Sequence, residues 1–283
     1  MSAAAQPVVR TGLLDDAVVE ALAGVLGVPA PTEVLPPLWH QVHLLDRPPQ
    51  RDLGADGHAL HGIPAPPGAG RKRMFAGGRL QTHAALTIGE RATRTTSVVR
   101  TQEKTGRSGA LTFVTVRNEY TQAGRLAVTD DVDIVYRAAG STVPATPGSL
   151  AEAPWRAPTQ PTLTLRADEA LLFRFSALTY NAHRIHYDLG WAEREGYGGL
   201  VVHGPLQVLM LAELLRRNGV DLVGRRFSYR LVSPMTGVQT FTVSAGAGGV
   251  ESGAEVHDVH GNLTAVAALE PAGQPGGQSN DSS

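Results

Sequence analysis

The sequence predicts an α+β fold in which antiparallel strands curl around a buried helix. Three observations lead there. Glycine and proline number 32 and 19 among 283 residues, a share that points to many turns rather than a helical bundle. Residues 205–217 read as a helix that is apolar on nearly every side, carrying Leu206, Val208, Leu209, Met210, Leu211, Ala212, Leu214 and Leu215. A helix of that kind must be wrapped by other structure. Three or four strand-like runs then follow, at about 224–231, 238–245, 251–258 and 263–269.

The earlier elements follow in chain order. Residues 13–26 read as a short amphipathic helix, with Leu14, Val18, Val19 and Leu22 at helical spacing and Gly27 as its stop. Pro36-Pro37 opens a second short segment over 38–45, and a turn-rich stretch spans 47–78. From 93 to 136 the text is strand-like, rich in β-branched and aromatic residues, as in Leu111-Thr-Phe-Val-Thr-Val116. Five prolines and little periodicity mark 138–161 as a linker. A strand over 170–175, a polar histidine-rich loop and the apolar helix come next, with Pro205 at the helix start and Asn218-Gly219 at its stop. The residues divide as 10–137 for an N-terminal domain, 162–271 for a C-terminal one and 272–283 for a disordered tail. The N-terminal half shares the outline of the C-terminal half, helix first and strands later, without any repeat of residues.

Composition removes several functions. Lys and Arg total 25 against 26 for Asp and Glu, so the formal charge of −1 offers no footprint for nucleic acid or an anionic membrane. Cysteine is absent, which removes disulfides, thiolate nucleophiles and Cys-containing metal sites. Residues 1–10 hold no apolar run resembling a signal peptide, and no stretch approaches the ~20 apolar residues of a membrane span. The expectation is a soluble, cytoplasmic protein.

Chemistry concentrates in one place. Asn181, His183, His186 and Asp188 fall within eight residues, and His203-Gly204-Pro205 follows where the apolar helix begins. The plain alternative is a hydrogen-bonded loop covering the end of a sheet. A helix N-terminus presents unpaired N–H groups and the positive end of the dipole, and Gly204 lets a ligand come close to that backbone. Such a start could stabilise an enolate-like oxyanion, or be no more than a tight turn. Arg71, Lys72, Arg73 and Arg79 form a basic stretch suited to phosphates, or a solvated basic loop.

The text Asn181-Ala-His-Arg-Ile-His186 followed by His203-Gly204 resembles the hydratase-2 motif of MaoC-like hotdog enzymes, Asp-x-Asn-Pro-(Ile/Leu)-His. The N-terminal half resembles the companion domain of FAS1-like dehydratases in Pro37-Leu-Trp-His40, Leu53-Gly-Ala-Asp-Gly-His58, Arg73-Met-Phe-Ala-Gly-Gly-Arg79 and Lys104-Thr-Gly-Arg-Ser-Gly109. The resemblance covers about residues 10–270. It implies a double hotdog, each sheet wrapped around a central helix, and reversible hydration of an enoyl thioester at a single site. The substrate so implied is an acyl-CoA, a short branched dicarboxylic one in the first instance, or an acyl-carrier-protein thioester. No cofactor or metal is expected, and a homodimer is compatible. Carried over, Asn181 and His186 stand at the catalytic Asp and His, and Gly204 in the His-Gly turn; with a coenzyme A substrate, Arg71, Lys72, Arg73 and Arg79 become candidates for its phosphates by their charge. Asn181 departs from the usual Asp. An amide cannot take a proton, so it orients water, and His186 becomes the principal acid–base group. His183, Asp188 and His203 are candidates for support, Asp188 equally for ordering the loop. A hotdog thioesterase and a non-catalytic thioester binder are the rival readings.

Overall fold

Helix α4 (Gly204–Arg217) explains the architecture, because every residue from Leu206 to Leu215 is buried. Sheet and loops must therefore close over all its faces. Only two polar side chains go in with it, and both are answered. Gln207 Oε1 accepts from Thr264 Oγ1 at 2.7 Å. Glu213 receives Arg216 at 2.6 and 2.9 Å and Arg217 at 2.9 Å. A buried carboxylate without such partners would be strongly destabilising.

The computed structural model describes residues 6–63, 72–106, 109–137 and 161–271. The N-terminal part runs β1 (Val8–Leu13), α1 (Asp16–Leu26), β2 (Val34–Leu35), β3 (Lys72–Thr82), β4 (Leu86–Thr87), β5 (Arg91–Gly106), β6 (Gly109–Gln122) and β7 (Arg125–Arg137). The C-terminal part runs β8 (Thr162–Ala167), α2 (Glu169–Leu178), α3 (Leu189–Arg194), α4, β9 (Arg225–Leu231), β10 (Gln239–Ala245), β11 (Gly253–His257) and β12 (Leu263–Pro271). The sheets of the two halves join edge to edge. Strand β3 pairs with β7 on one side and β9 on the other, giving one antiparallel sheet ordered β1-β5-β6-β7-β3-β9-β12-β11-β10-β8, beside the small β2–β4 pair. Gly78 makes this seam tight. A Cβ there would lie 2.4 Å from both Asp131 O and Tyr229 Oη.

Helix α1 begins and ends on the signals the sequence carries. Asp15 accepts from Ala17 N at 2.9 Å, and Gly27 takes a left-handed φ of 66°. Its Val19, Leu22 and Leu26 join Phe175 and the α4 leucines in one core spanning both halves.

Three expectations need correction. Residues 170–175 are not a strand but lie within α2, and the strand precedes it as β8. Asp168 caps α2 by accepting from Leu171 N at 3.0 Å, and Leu171, Leu172, Phe175 and Ser176 bury one helical face. The turn-rich stretch ends sooner than predicted, since Lys72 already belongs to β3. Helix α3 was not foreseen. Of the 138–161 linker only Pro161 is described, and the 272–283 tail lies outside the described residues. No helix among the described residues is long and apolar enough to cross a membrane.

Candidate active site

The loop after α2 is built from local hydrogen bonds. Asn181 N donates to Ser176 O at 2.9 Å, and Asn181 Oδ1 accepts from His183 N at 3.0 Å. That leaves the Asn181 amide nitrogen as the group it offers outward. Asp188 caps α3, accepting from Trp191 N at 3.0 Å, and Arg184 reaches back to its Oδ2 at 2.5 and 3.0 Å. Arg184, first among the causes, holds the Asp188 carboxyl below its usual range. Asp188 therefore orders the loop, and both its oxygens are engaged in doing so.

Three histidines of the motif come together. His186 and His203 stack with ring centroids 3.6 Å apart, and His183 meets the edge of His186 at 5.6 Å. His186 Nδ1 lies 2.7 Å from Val201 O, an atom that can only accept, so Nδ1 carries the proton and Nε2 a lone pair. Burial pushes the His186 pKa down to about 3, against the hydrogen bond to Val201. The ring is therefore desolvated and neutral, and it titrates well below an ordinary imidazole. Burial likewise lowers His203 well below 6.5. His203 is fully buried, with Nε2 at 2.8 Å from Ser176 Oγ and Nδ1 without a partner.

The N-terminal half enters this site through a loop whose residues were given no role from sequence. Asp56 Oδ2 accepts from His58 Nδ1 at 3.0 Å, and the His58 ring lies 4.0 Å from that of His183. Arg184 N donates to Asp56 O at 2.9 Å. Gly57 has a φ of 89°, and a Cβ on it would fall 1.8 Å from Ala182 O, so only glycine lets the two loops meet. Burial lowers the His58 pKa to about 4, and the His58 hydrogen bond holds the Asp56 carboxyl far down. On the other flank, His183 Nε2 faces Glu195 Oε1 at 3.8 Å, and Trp191 Nε1 donates to the same oxygen at 2.7 Å. Burial alone would raise the Glu195 carboxyl, but these contacts outweigh it and hold it low. Ligand atoms of Asp56, His58 and His183 lie within 4.8 Å of one another. A cation there would have to compete with the His58 proton for Asp56.

Gly204 opens α4, but its bare side faces Phe75. A Cβ would sit 2.8 Å from the Phe75 ring and 3.4 Å from Leu231 Cγ, so the missing side chain makes room for packing and not for a ligand. The basic residues are not gathered into one platform. Arg79 is forked onto Asp133 at 2.8 and 3.2 Å and lines a separate cavity with Arg117 and Arg226. Lys72 donates to Glu195 O at 2.9 Å, desolvation lowers the pKa of Arg73 near Asp56, and Arg71 lies outside the described residues. Asn181 and Pro205 line a cavity of about 230 Å³ that continues to side chains of the N-terminal half.

Comparison with known proteins identifies the family and the fold. Residues 38–237 match the family of hydroxyacyl-thioester dehydratases type 2. The chain is 42% identical over 250 residues to the mesaconyl-C(4)-CoA hydratase of Chloroflexus aurantiacus, covering 87% of each. Among solved structures, HtdX of Mycobacterium tuberculosis superposes with a TM-score of 0.66 at 16% identity, covering 94% of this chain and 100% of that one. A second Mycobacterium tuberculosis protein, described as a double hotdog, gives 0.51 at 14% identity over 96% of each. At these identities the structural likeness shows the fold alone, and that fold is the double hotdog.

Proposed function

Since the chain belongs to the hydroxyacyl-thioester dehydratase type 2 family, we propose that it is a hydro-lyase adding water reversibly across the double bond of an enoyl thioester. The observation that carries this reading is His186, neutral, with Nδ1–H fixed on Val201 O and Nε2 unprotonated, in the loop whose Asn181 lines the cavity. The thioester oxygen lies at the start of α4, where unpaired N–H groups and the helix dipole oppose the charge of the forming enolate. The Asn181 amide nitrogen orients the water. As the water oxygen bonds to Cβ, the double-bond pair moves onto the thioester as an enolate and His186 Nε2 takes a water proton; the imidazolium then returns that proton to Cα as the carbonyl re-forms. A histidine held near 3 is a weak base, so it serves only if that proton moves on within the site and is not stored.

His183 and His203 hold the His186 ring in place from edge and face, and Asp56–His58 and Glu195 brace His183. Lys72 and Arg73, on the strand entering this cluster, are the cations nearest to hand for the carrier's phosphates. The substrate in this reading is a short branched dicarboxylic enoyl-CoA such as mesaconyl-C4-CoA, by likeness to the Chloroflexus enzyme. A 3-hydroxyacyl thioester on coenzyme A or acyl carrier protein is the second reading, favoured by the family's description. The test is a panel of enoyl-CoAs followed by loss of the conjugated thioester absorbance. Release of free thiol in place of hydration would identify a thioesterase, and binding without turnover a thioester-binding protein.

A further inference from the structure

The cavity beside Asn181 is apolar on one side, through Phe75, Val132, Pro205 and Leu209. The N-terminal half also contributes a polar wall, with Gln41, Arg94, Asn118 and Asp130, whose polar groups are not all satisfied. Arg94 is only 8% exposed; its Nη2 donates to Asp46 at 2.6 Å, while Nε is buried without a partner. A buried guanidinium N–H lacking an acceptor is costly unless something supplies one. Asn118 stands on the same wall. Its Oδ1 accepts from Thr96 Oγ1 at 2.8 Å, which leaves its NH₂ to donate. Asp130 is the wall's anion, held on Oδ2 by His40 Nε2 at 3.2 Å and Gln41 Nε2 at 3.0 Å, with Oδ1 buried and unpaired.

We infer that this wall is a carboxylate-binding subsite, with Arg94 and Asn118 as donors, that selects enoyl thioesters bearing a carboxylate at the acyl end remote from sulfur. The inference rests on the hydration reading above and adds what that reading lacks, the residues that choose the substrate. A planar guanidinium is the side chain best matched to a carboxylate. Asp130 sets a condition on the geometry. It repels a second anion, so the ligand carboxylate lies against Arg94 and not between the two. The unpaired Asp130 Oδ1 suits the hydroxyl that hydration creates next to that carboxylate. A fatty tail would meet the opposite situation, stripping water from Arg94 and Asp130 and returning no hydrogen bond.

The experiment compares kcat/KM for 3-carboxyacryloyl-CoA and crotonoyl-CoA, which differ only by carboxylate against methyl. The wild type should prefer the carboxylate at least ~100-fold, the cautious end of what a site built around a polar group achieves. In Arg94→Met that ratio should collapse toward one, and in Arg94→Lys, which keeps the charge without the fork, it should recover in part. Asn118→Leu should lower the ratio too, and decides the matter if Arg94→Met does not fold. A wild type that hydrates crotonoyl-CoA as well as its carboxylated counterpart overturns the subsite and leaves the hydration reading intact. Arg94→Met and Asn118→Leu variants that keep the full ratio also overturn it. Hydration of neither thioester overturns the subsite, while the hydration reading stands or falls separately on the wider panel of enoyl-CoAs.

Discussion

Lowering the pH from 7.5 to 5.5 should destabilise this protein well before its carboxylates titrate. Burial, the largest cause for each, lowers His43 and His58 to about 4 and His186 to about 3, and carries His203 the same way. In the unfolded chain all four titrate near 6.5. The unfolded state therefore binds protons first, and stability falls from pH 6.5 downward until the folded values are reached. Between pH 7.5 and 5.5 His43, His58 and His186 each contribute a loss of about 1.4 kcal/mol. These three together give about 4 kcal/mol, or about 8–16 °C in Tm at 2–4 °C per kcal/mol, and His203 adds to it. Asp56 and Glu195, whose folded values are depressed, weaken the fold only at lower pH and do not enter this window. The assay is urea unfolding at the two pH values, with His43→Leu as control. His43 Nε2 is buried without a partner, so leucine should remove about 1.4 kcal/mol of the pH dependence. Equal stability at both pH values would refute neutral burial of these rings, as would a His43→Leu variant with the wild-type dependence.

The remaining predictions concern turnover. His186→Ala should still fold, with a lowered Tm, and lose about 10²–10⁴-fold in kcat, measured on whichever enoyl-CoA proves best; a folded variant of normal turnover removes His186 from the chemistry. Asn181→Asp should keep measurable activity and Asn181→Leu should not, since only the first retains a polar group for the water; equal activities would show that Asn181 plays no part. Gly204→Val should lose at least ~100-fold in kcat/KM, by driving Phe75 toward the cavity. Adding Phe75→Ala should restore part of it, and no restoration places the damage elsewhere. Gly57→Ala should cost more activity than stability, read as kcat against Tm, because it parts the Asp56–His58 loop from Ala182.

What the sequence revealed depended on the range of the interaction. Helix α4 was legible because eight apolar side chains between Leu206 and Leu215 lie on nearly every side of it, and α1 because Gly27 marks its end within the same stretch. Helix α2 was misread because Leu171-Leu172-Phe-Arg-Phe175 also suits a strand. The deciding signal was Asp168 as a cap, with Leu171, Leu172 and Phe175 on one helical face. Asn181, His183, His186 and His203 are brought together because one loop and the helix start beyond it suffice to do so. Asp56 and His58 were not assigned, since their contact with His183 joins loops more than a hundred residues apart. Nothing in Arg79 announces that Asp133 already occupies its guanidinium.

The β3–β9 seam also bears on how the chain is made. Strand β3 has β7 beside it soon after synthesis, but its other partner follows roughly 150 residues later. At about 5–20 residues per second, β3 waits about 7–30 s on the ribosome with one row of N–H and C=O groups unpaired. An open edge of that kind is a template for wrong pairing. Arg73 on β3 adds positive charge beside that edge, and the bulge between Phe75 and Gly77 breaks the strand's regularity. Both devices discourage a neighbouring nascent chain from taking the place reserved for β9.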